Sequence, residues 1–160
     1  MENFTNPSNA TGNGPLSPSA LRGRLRDVAE ADLVAGSADP DGARARADRV
    51  MRFYHWDDRG WKTPARDALS ACLHAAALGG KTLADLQHWI NAAPESADIR
   101  DEIQVILSDS PEAHAMQVDL MRWRFNHPRT IATIAAVMRS CLVLWQEAAP
   151  DEHFSDGEDQ

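Results

Sequence analysis

Residues 68–78, with the sequence ALSACLHAAAL, constrain the fold of this chain more than any other stretch. They include five alanines and three leucines and no charged residue. The pair Thr63-Pro64 precedes them as a helix start, and a Gly-Gly pair follows them as a helix stop. Because small side chains let neighbouring helices approach closely, we expect helix 64–78 to lie at the centre of a helical bundle.

Similar helix starts recur along the chain. In each, a Ser, Thr or Asp side chain can cap a backbone N–H, or a proline occupies the first turn, where no N–H partner is needed. Valine and isoleucine are scattered rather than alternating with polar residues, which argues against strands. The sequence therefore predicts an all-α fold, a compact bundle of about seven helices. The predicted starts are Ser17-Pro18, Asp39-Pro40, Thr63-Pro64, Thr82, Ser96, Ser110-Pro111 and His127-Pro128.

The two ends of the chain differ in composition from its middle. Residues 1–16 are mostly Asn, Gly, Pro, Ser and Thr, so we expect a flexible N-terminal segment. Residues 150–160 are rich in acidic side chains, and we expect them to be a disordered tail. The folded part is then a single all-α domain over residues 17–149, a size typical of one domain.

Charge and hydropathy limit the partners and the compartment. The 160 residues carry a formal net charge of −8, which disfavours unspecific binding to nucleic-acid phosphates. No apolar run approaches the roughly 20 residues needed to cross a bilayer, so we expect a soluble chain. Cys72 and Cys141 lie in apolar helical patterns and predict buried thiols in a reducing compartment.

Patterns for catalysis and metal binding are weak. The segment Gly79-Gly80-Lys81-Thr82 resembles only the end of a P-loop, which also needs an earlier glycine and a preceding strand. His74 lies among alanines and predicts a packed histidine that donates to a backbone carbonyl. No HExxH or CxxC motif occurs. We therefore predict no catalytic residue, no metal site and no cofactor.

Arginines and aromatic residues provide the candidate binding surface. Four arginines lie on the second predicted helix, and the aromatic residues connect it to the third. The aromatic segment is either a lid on the bundle or a docking surface, since Trp and Tyr are strong contact anchors. Interspersed acids favour salt-bridged helix faces over a DNA-binding patch, although a patch stays open. The candidate partner-binding residues are Arg44, Arg46, Arg49, Arg52, Tyr54, Trp56 and Trp61.

Several motifs in residues 33–145 occur in an order that resembles a known domain. An acidic turn, LVAGSADPD over residues 33–41, precedes an Arg- and Ala-rich helix over residues 43–50. Then come a tryptophan at Trp56 or Trp61, the segment LHAAALGG, a short helix ending at Trp89 and the segment Arg129-Thr130-Ile131. Together they resemble the all-alpha domain of type IV secretion or conjugative coupling proteins, in particular actinobacterial members of this DNA-transfer ATPase family.

The resemblance implies a function that composition alone does not. It implies a substrate-recognition adaptor at the cytoplasmic mouth of a hexameric motor, at the cytoplasmic face of the membrane. The implied partners are the relaxase or another secreted substrate protein, the ATPase domain of the parent protein and sometimes DNA. The domain by itself would be a monomer and not an enzyme, because the ATPase motor is not in this chain. The acidic tail departs from the family pattern, in which the chain returns to the ATPase sheet.

A DNA-binding role is the alternative reading. The same module could contact the transferred DNA, or residues 82–107 could form a helix-turn-helix regulator. In that segment, Arg100 and Gln104 suit a recognition helix, but Asp98, Asp101 and Glu102 would repel phosphates.

Overall fold

The computed structural model describes residues 15–56 and 59–158, and it confirms the all-α prediction. Seven α-helices form a compact bundle, and no strand occurs within the described residues. Two short 3₁₀ turns lie at Arg59–Trp61 and Pro111–Ala113. The helices are α1 (Pro18–Ala35), α2 (Pro40–Met51), α3 (Lys62–Leu78), α4 (Leu83–Asn91), α5 (Ala97–Ser108), α6 (His114–Arg124) and α7 (Pro128–Glu158).

Helix α3 lies at the centre of the bundle, as its small side chains predict. It contacts all six other helices. From Ala68 to Ala76 each of its side chains is buried. Gly79 follows its last residue, and a Cβ there would lie 2.8 Å from the Ile106 side chain, so a glycine lets α5 pack against this end of α3. The alanine-rich stretch is therefore the structural centre of the fold.

The helix caps follow the sequence at three of the predicted starts. Ser17 accepts a hydrogen bond from the Ala20 N–H, and Asp39 accepts one from the Gly42 N–H. Thr82 and Asp85 form a reciprocal capping box, with the Asp85 N–H donating to Thr82 Oγ1 and the Thr82 N–H donating to Asp85 Oδ2. These side chains satisfy backbone donors that a helix leaves free at its N-terminus.

The prediction that α3 starts at Thr63-Pro64 is wrong by one residue or two. The 3₁₀ turn ending at Trp61 leads directly into an α-helix that begins at Lys62, with no side-chain cap. Pro64 still lies within the first turn, where its missing N–H costs no hydrogen bond. The sixth helix also begins later than predicted, because a 3₁₀ turn occupies Pro111–Ala113.

Helix α7 is longer than the sequence indicates. It continues through Pro150 to Glu158, into the stretch assigned to a disordered tail from residue 150, and the last two residues lie outside the described part. Residues Pro128–Asp151 are long and apolar enough to cross a membrane by length and composition, so the expectation of no such run is wrong. A buried core helix meets the same criteria, and α7 buries Met138 and Cys141 in the bundle.

Helix α1 is attached to the bundle by apolar contacts at its C-terminal end and by polar contacts to α7. Leu33 and Val34 are buried, whereas Leu21 and Val28 are exposed. The contacts to α7 include Arg22 to Asp151 at 2.8 Å, Arg26 Nε to the Gln146 carbonyl at 3.1 Å and Gln146 Nε2 to Glu30 at 2.8 Å. The flexible segment predicted over residues 1–16 falls, except for its last two residues, outside the described part of the chain.

Candidate functional site

The connection between α2 and α3 carries the three aromatic residues of the predicted binding surface. The rings of Tyr54 and Trp56 lie 4.8 Å apart, centroid to centroid, at an interplanar angle of 55°. Tyr54 is half-buried against the core, whereas the Trp56 side chain is 46% exposed. Trp56 is therefore fixed by one neighbour while much of its ring stays open to a partner.

Trp61 does not join the pair but lines a cavity. The cavity has a volume of about 350 Å³ and lies where the start of α3 meets α6 and α7. Its walls are both apolar and charged, with contributions from Trp61, Pro64, Asp67, Asp119, Trp123 and Ile134. A concave site with apolar walls and few polar groups is the usual form of a ligand pocket.

Asp119 is the most unusual residue of the cavity. Its relative exposure is 9%, and its Oδ1 lies 3.4 Å from Nη1 of Arg122. Burial raises the pKa of the Asp119 carboxyl above its usual range, and the negative charge of Asp67 raises it further. Positive charges on Arg44, Arg122 and Arg66 act in the opposite direction without cancelling the rise.

Asp67 is held by an ion-pair network that joins α2 to α3. The Arg66 guanidinium lies 3.1 Å from Asp67 through Nη1 and 2.9 Å from Asp48 through Nε. The hydrogen bond to Asp48 is the largest cause of the raised pKa of Arg66. Asp67 thus has a fixed partner in its own helix, whereas the partner of Asp119 is a long, exposed side chain.

The arginine row of α2 divides into two pairs with different surroundings. Arg44 is half-buried and lies 3.9 Å from Asp41. Arg46 donates from Nε to the Asp32 carbonyl at 3.2 Å, and its guanidinium lies so close to Gly36 that a Cβ there would overlap it. Arg44 thus pairs within α2, whereas Arg46 joins α2 to the end of α1.

The second pair of the row lies on the outside of the bundle. Arg49 and Arg52 are exposed, and Nε of Arg52 donates to the Arg49 carbonyl at 3.3 Å. Both side chains are exposed, but Arg52 is also engaged in contacts within the chain. The structure thus does not bring all four arginines together on one free surface.

Arg124, near the end of α6, is buried in the bundle and is not available to a phosphate. Its side chain is 5% exposed, and its Nη2 donates to the carbonyls of Ala93, Pro94 and Ser96 at 3.4, 3.2 and 3.0 Å. Burial lowers the pKa of Arg124. Its role is to bind the loop between α4 and α5.

The predicted helix-turn-helix segment presents an acidic surface. Asp98 and Asp101 on α5 are exposed, and both line a shallow surface pocket with Lys81 and Glu102. The Arg100 guanidinium lies over the Phe125 ring at 4.8 Å and donates to Asp101 at 3.2 Å. A recognition helix would need basic or amide side chains free to enter a DNA groove.

The predictions that His74 is packed against a backbone carbonyl and that the two cysteines are buried thiols are confirmed. His74 is buried, and its Nδ1 lies 2.9 Å from the Ser37 carbonyl oxygen. Cys72 and Cys141 are buried free thiols, and burial raises their pKa values to about 12 and about 11. Both thiols therefore stay protonated at neutral pH. Within the described residues, no group of three or more His, Cys, Asp or Glu side chains could hold a metal ion.

Sequence reasoning missed the cavity, although one signal for it was present. Met116, Leu120 and Trp123 form an apolar stripe on α6, and Asp119 falls on the same face, three residues after Met116. An acid on a buried stripe is unusual unless it is paired or functional. Trp123 was predicted to be a core residue, and it is buried, but its ring also forms part of the cavity wall.

Comparison with known proteins found no relative of this chain. No protein-family model, no curated protein and no solved structure matches the chain.

Proposed function

We propose that this chain is a protein-binding helical module, the substrate-recognition domain of a conjugative type IV secretion coupling protein. The observation that carries the proposal is the aromatic connection between α2 and α3, where Trp56 is 46% exposed and its ring packs on Tyr54. An aromatic side chain held by a neighbour loses little conformational entropy when a partner covers it. The all-α bundle around a central alanine-rich helix agrees with the fold that the family resemblance implies.

The surroundings of the arginines favour a protein partner over DNA. Arg46 is engaged with the α1 carboxylate and carbonyl of Asp32, and Arg124 is buried against backbone carbonyls. The net charge of −8 opposes approach to a phosphate backbone. Arg49, exposed in the last turn of α2, supplies a charge of the kind that acts on association rate and specificity more than on affinity.

The partner in this proposal is the relaxase or another protein substrate of the conjugation machine. The parent motor would supply the ATPase activity and the hexameric contacts. The domain itself would recognise its substrate as a monomer, on the cytoplasmic side of the membrane, without a cofactor.

The test measures the affinity of the full chain for the purified relaxase of the genome that encodes it, by biolayer interferometry. Trp56→Ser should weaken binding by about tenfold or more, because truncating an aromatic anchor at the centre of an interface commonly costs that much. Phe125→Ser is the matched control, since Phe125 is an exposed aromatic residue elsewhere on the surface. Equal affinities for wild type and Trp56→Ser would contradict the proposal.

A second measurement tests the DNA-binding alternative. Fluorescence anisotropy with single- and double-stranded DNA at low salt gives phosphate contacts their best chance. The proposal predicts no tight binding to either DNA. Tight binding that weakens steeply as salt rises would replace the protein-binding function with the DNA-binding one.

A further inference from the structure

The cavity beneath Trp61 has the features of a built recognition site rather than a packing defect. Packing defects in protein interiors are lined by apolar groups and stay small. This cavity has a volume of about 350 Å³, and its wall includes the carboxylates of Asp67 and Asp119. A site of that size accepts a single amino-acid side chain or a molecule of similar size.

The charges around the cavity select a cation. Among the residues that line it, Asp67 and Asp119 are acidic and Arg122 is basic. Asp67 is already paired with Arg66 at 3.1 Å. Asp119, in contrast, is nine-tenths buried, and its one hydrogen bond among the described residues comes from Arg122 at 3.4 Å. A buried carboxylate with a single long contact retains capacity for a second, better-placed donor.

The partner that Asp119 has now is easily displaced. The Arg122 side chain is 72% exposed, and its contact with Asp119 joins two residues of one helix, three positions apart. Water and salt screen the exposed Arg122 end of this contact, and the distance of 3.4 Å makes it a weak hydrogen bond. Another cation can therefore take the place of Arg122 with little loss.

The remaining walls suit a planar cation on an apolar stem. Trp61, Pro64 and Ile134 contribute apolar groups to the lining, whereas Trp123 is 2% exposed and already has the Arg124 guanidinium 5.1 Å from its ring centroid. Aromatic rings attract a guanidinium through their quadrupole, and its planar group bonds a carboxylate in a fork geometry that an ammonium cannot match. Thr63, Asn126 and Thr130 add polar atoms to the lining.

We propose that this cavity binds the guanidinium of an arginine side chain, which displaces Arg122 from Asp119. The arginine belongs to a protein partner, and this assignment of its source rests on the proposed function. The chemistry of the site does not depend on that function.

The test titrates the ¹⁵N-labelled full chain with N-acetyl-arginine N-methylamide and follows the Trp61 indole N–H by NMR. The matching citrulline compound has the same shape without the charge. We expect saturable shifts with the arginine compound and binding at least about tenfold weaker with the citrulline compound, because the charge-assisted hydrogen bond is lost. Equal binding of the two compounds would overturn the proposal.

Three variants make the test specific to Asp119. Asp119→Asn should weaken the arginine compound about tenfold, and Asp98→Asn, which removes an exposed carboxylate of α5, should leave its binding unchanged. Arg122→Ala should tighten binding roughly two- to fivefold, because it removes the internal competitor. If Asp119→Asn loses the native NMR spectrum, the test rests on Arg122→Ala, whose substitution is at an exposed position. Weaker binding of the arginine compound by Arg122→Ala would overturn the proposal.

This experiment and the relaxase experiment fail independently. The arginine compound needs no protein partner. If the chain binds the relaxase but does not bind the arginine compound, this inference alone is overturned. If the chain binds the arginine compound saturably but does not bind the relaxase, the proposed function is overturned and the guanidinium site is retained.

Discussion

The middle and the first turns of helix α3 lie in different surroundings. Its middle, from Ala68 to Ala76, is buried on all sides and contains no charged residue. Its first turns carry Pro64 and Asp67 and line a cavity that larger side chains would have filled. The alanine-rich stretch therefore stabilises the fold by close packing. The first turns are less tightly packed and carry a charged residue, as recognition sites commonly do at a cost in stability.

The largest effect should come from truncation in the buried stretch. Leu73→Ala removes a fully buried side chain and leaves a space that rigid neighbours fill only in part, so the free energy of unfolding should fall by about 2–5 kcal/mol. Leu78→Ala is the matched control at the exposed end of the same helix and should cost less than about 1 kcal/mol. Urea denaturation measures both, and equal losses would contradict the central position of α3.

Overpacking the same stretch should have the next largest effect. Ala71 is fully buried, so Ala71→Leu adds volume where neighbouring helices approach closely and should cost about 1–3 kcal/mol. Ala132→Leu, at an exposed position of α7, should change the free energy of unfolding by less than about 0.5 kcal/mol. If Ala71→Leu lowers the free energy of unfolding no more than Ala132→Leu does, the close approach of helices around α3 is not what stabilises the bundle.

The cavity should show a pH dependence that the buried stretch lacks. The pKa of Asp119 is raised above its usual 3.8 in the folded state, mainly by burial. A raised pKa favours the folded state while the carboxyl is protonated, and this contribution is lost as pH rises through the folded pKa. The stability of wild type relative to Asp119→Asn should therefore fall as pH rises above about 4. If the free energy of unfolding of wild type relative to Asp119→Asn rises with pH instead, the pKa of Asp119 is not raised in the folded state.

The smallest effect is expected at the exposed edge of the cavity. Arg122→Ala breaks a contact of 3.4 Å whose arginine is 72% exposed, so the free energy of unfolding should change by less than about 0.5 kcal/mol. Thermal unfolding at low and high salt measures this. A large, salt-independent loss would mean that Arg122 is part of the fold and cannot serve as a displaceable partner.

Local sequence patterns were enough to predict the helices and the central one among them. Ser17, Asp39 and Thr82 cap their helices through contacts within three residues, which sequence spacing reveals. The small side chains of 68–78 predict the central position for a similarly local reason. These features need no knowledge of how distant parts of the chain meet.

The features that sequence reasoning missed depend on contacts between distant helices. Arg46 looks like a surface residue of α2, but Gly36 lets its guanidinium lie against the end of α1. Leu21 and Val28 are apolar and seven residues apart, on one face of α1, yet both are exposed, because α7 meets that part of α1 through polar contacts of Arg22 and Arg26. The cavity arises only where α3, α6 and α7 converge, so no single segment predicts it.

The most direct test of the account measures Asp119→Asn in two assays at neutral pH, unfolding by urea and affinity for the relaxase. If Asp119 is kept for recognition, replacing its buried charge by a neutral amide should leave the free energy of unfolding equal or higher and weaken relaxase binding. A less stable variant that binds the relaxase as tightly as wild type would contradict the account, because Asp119 would then serve the fold.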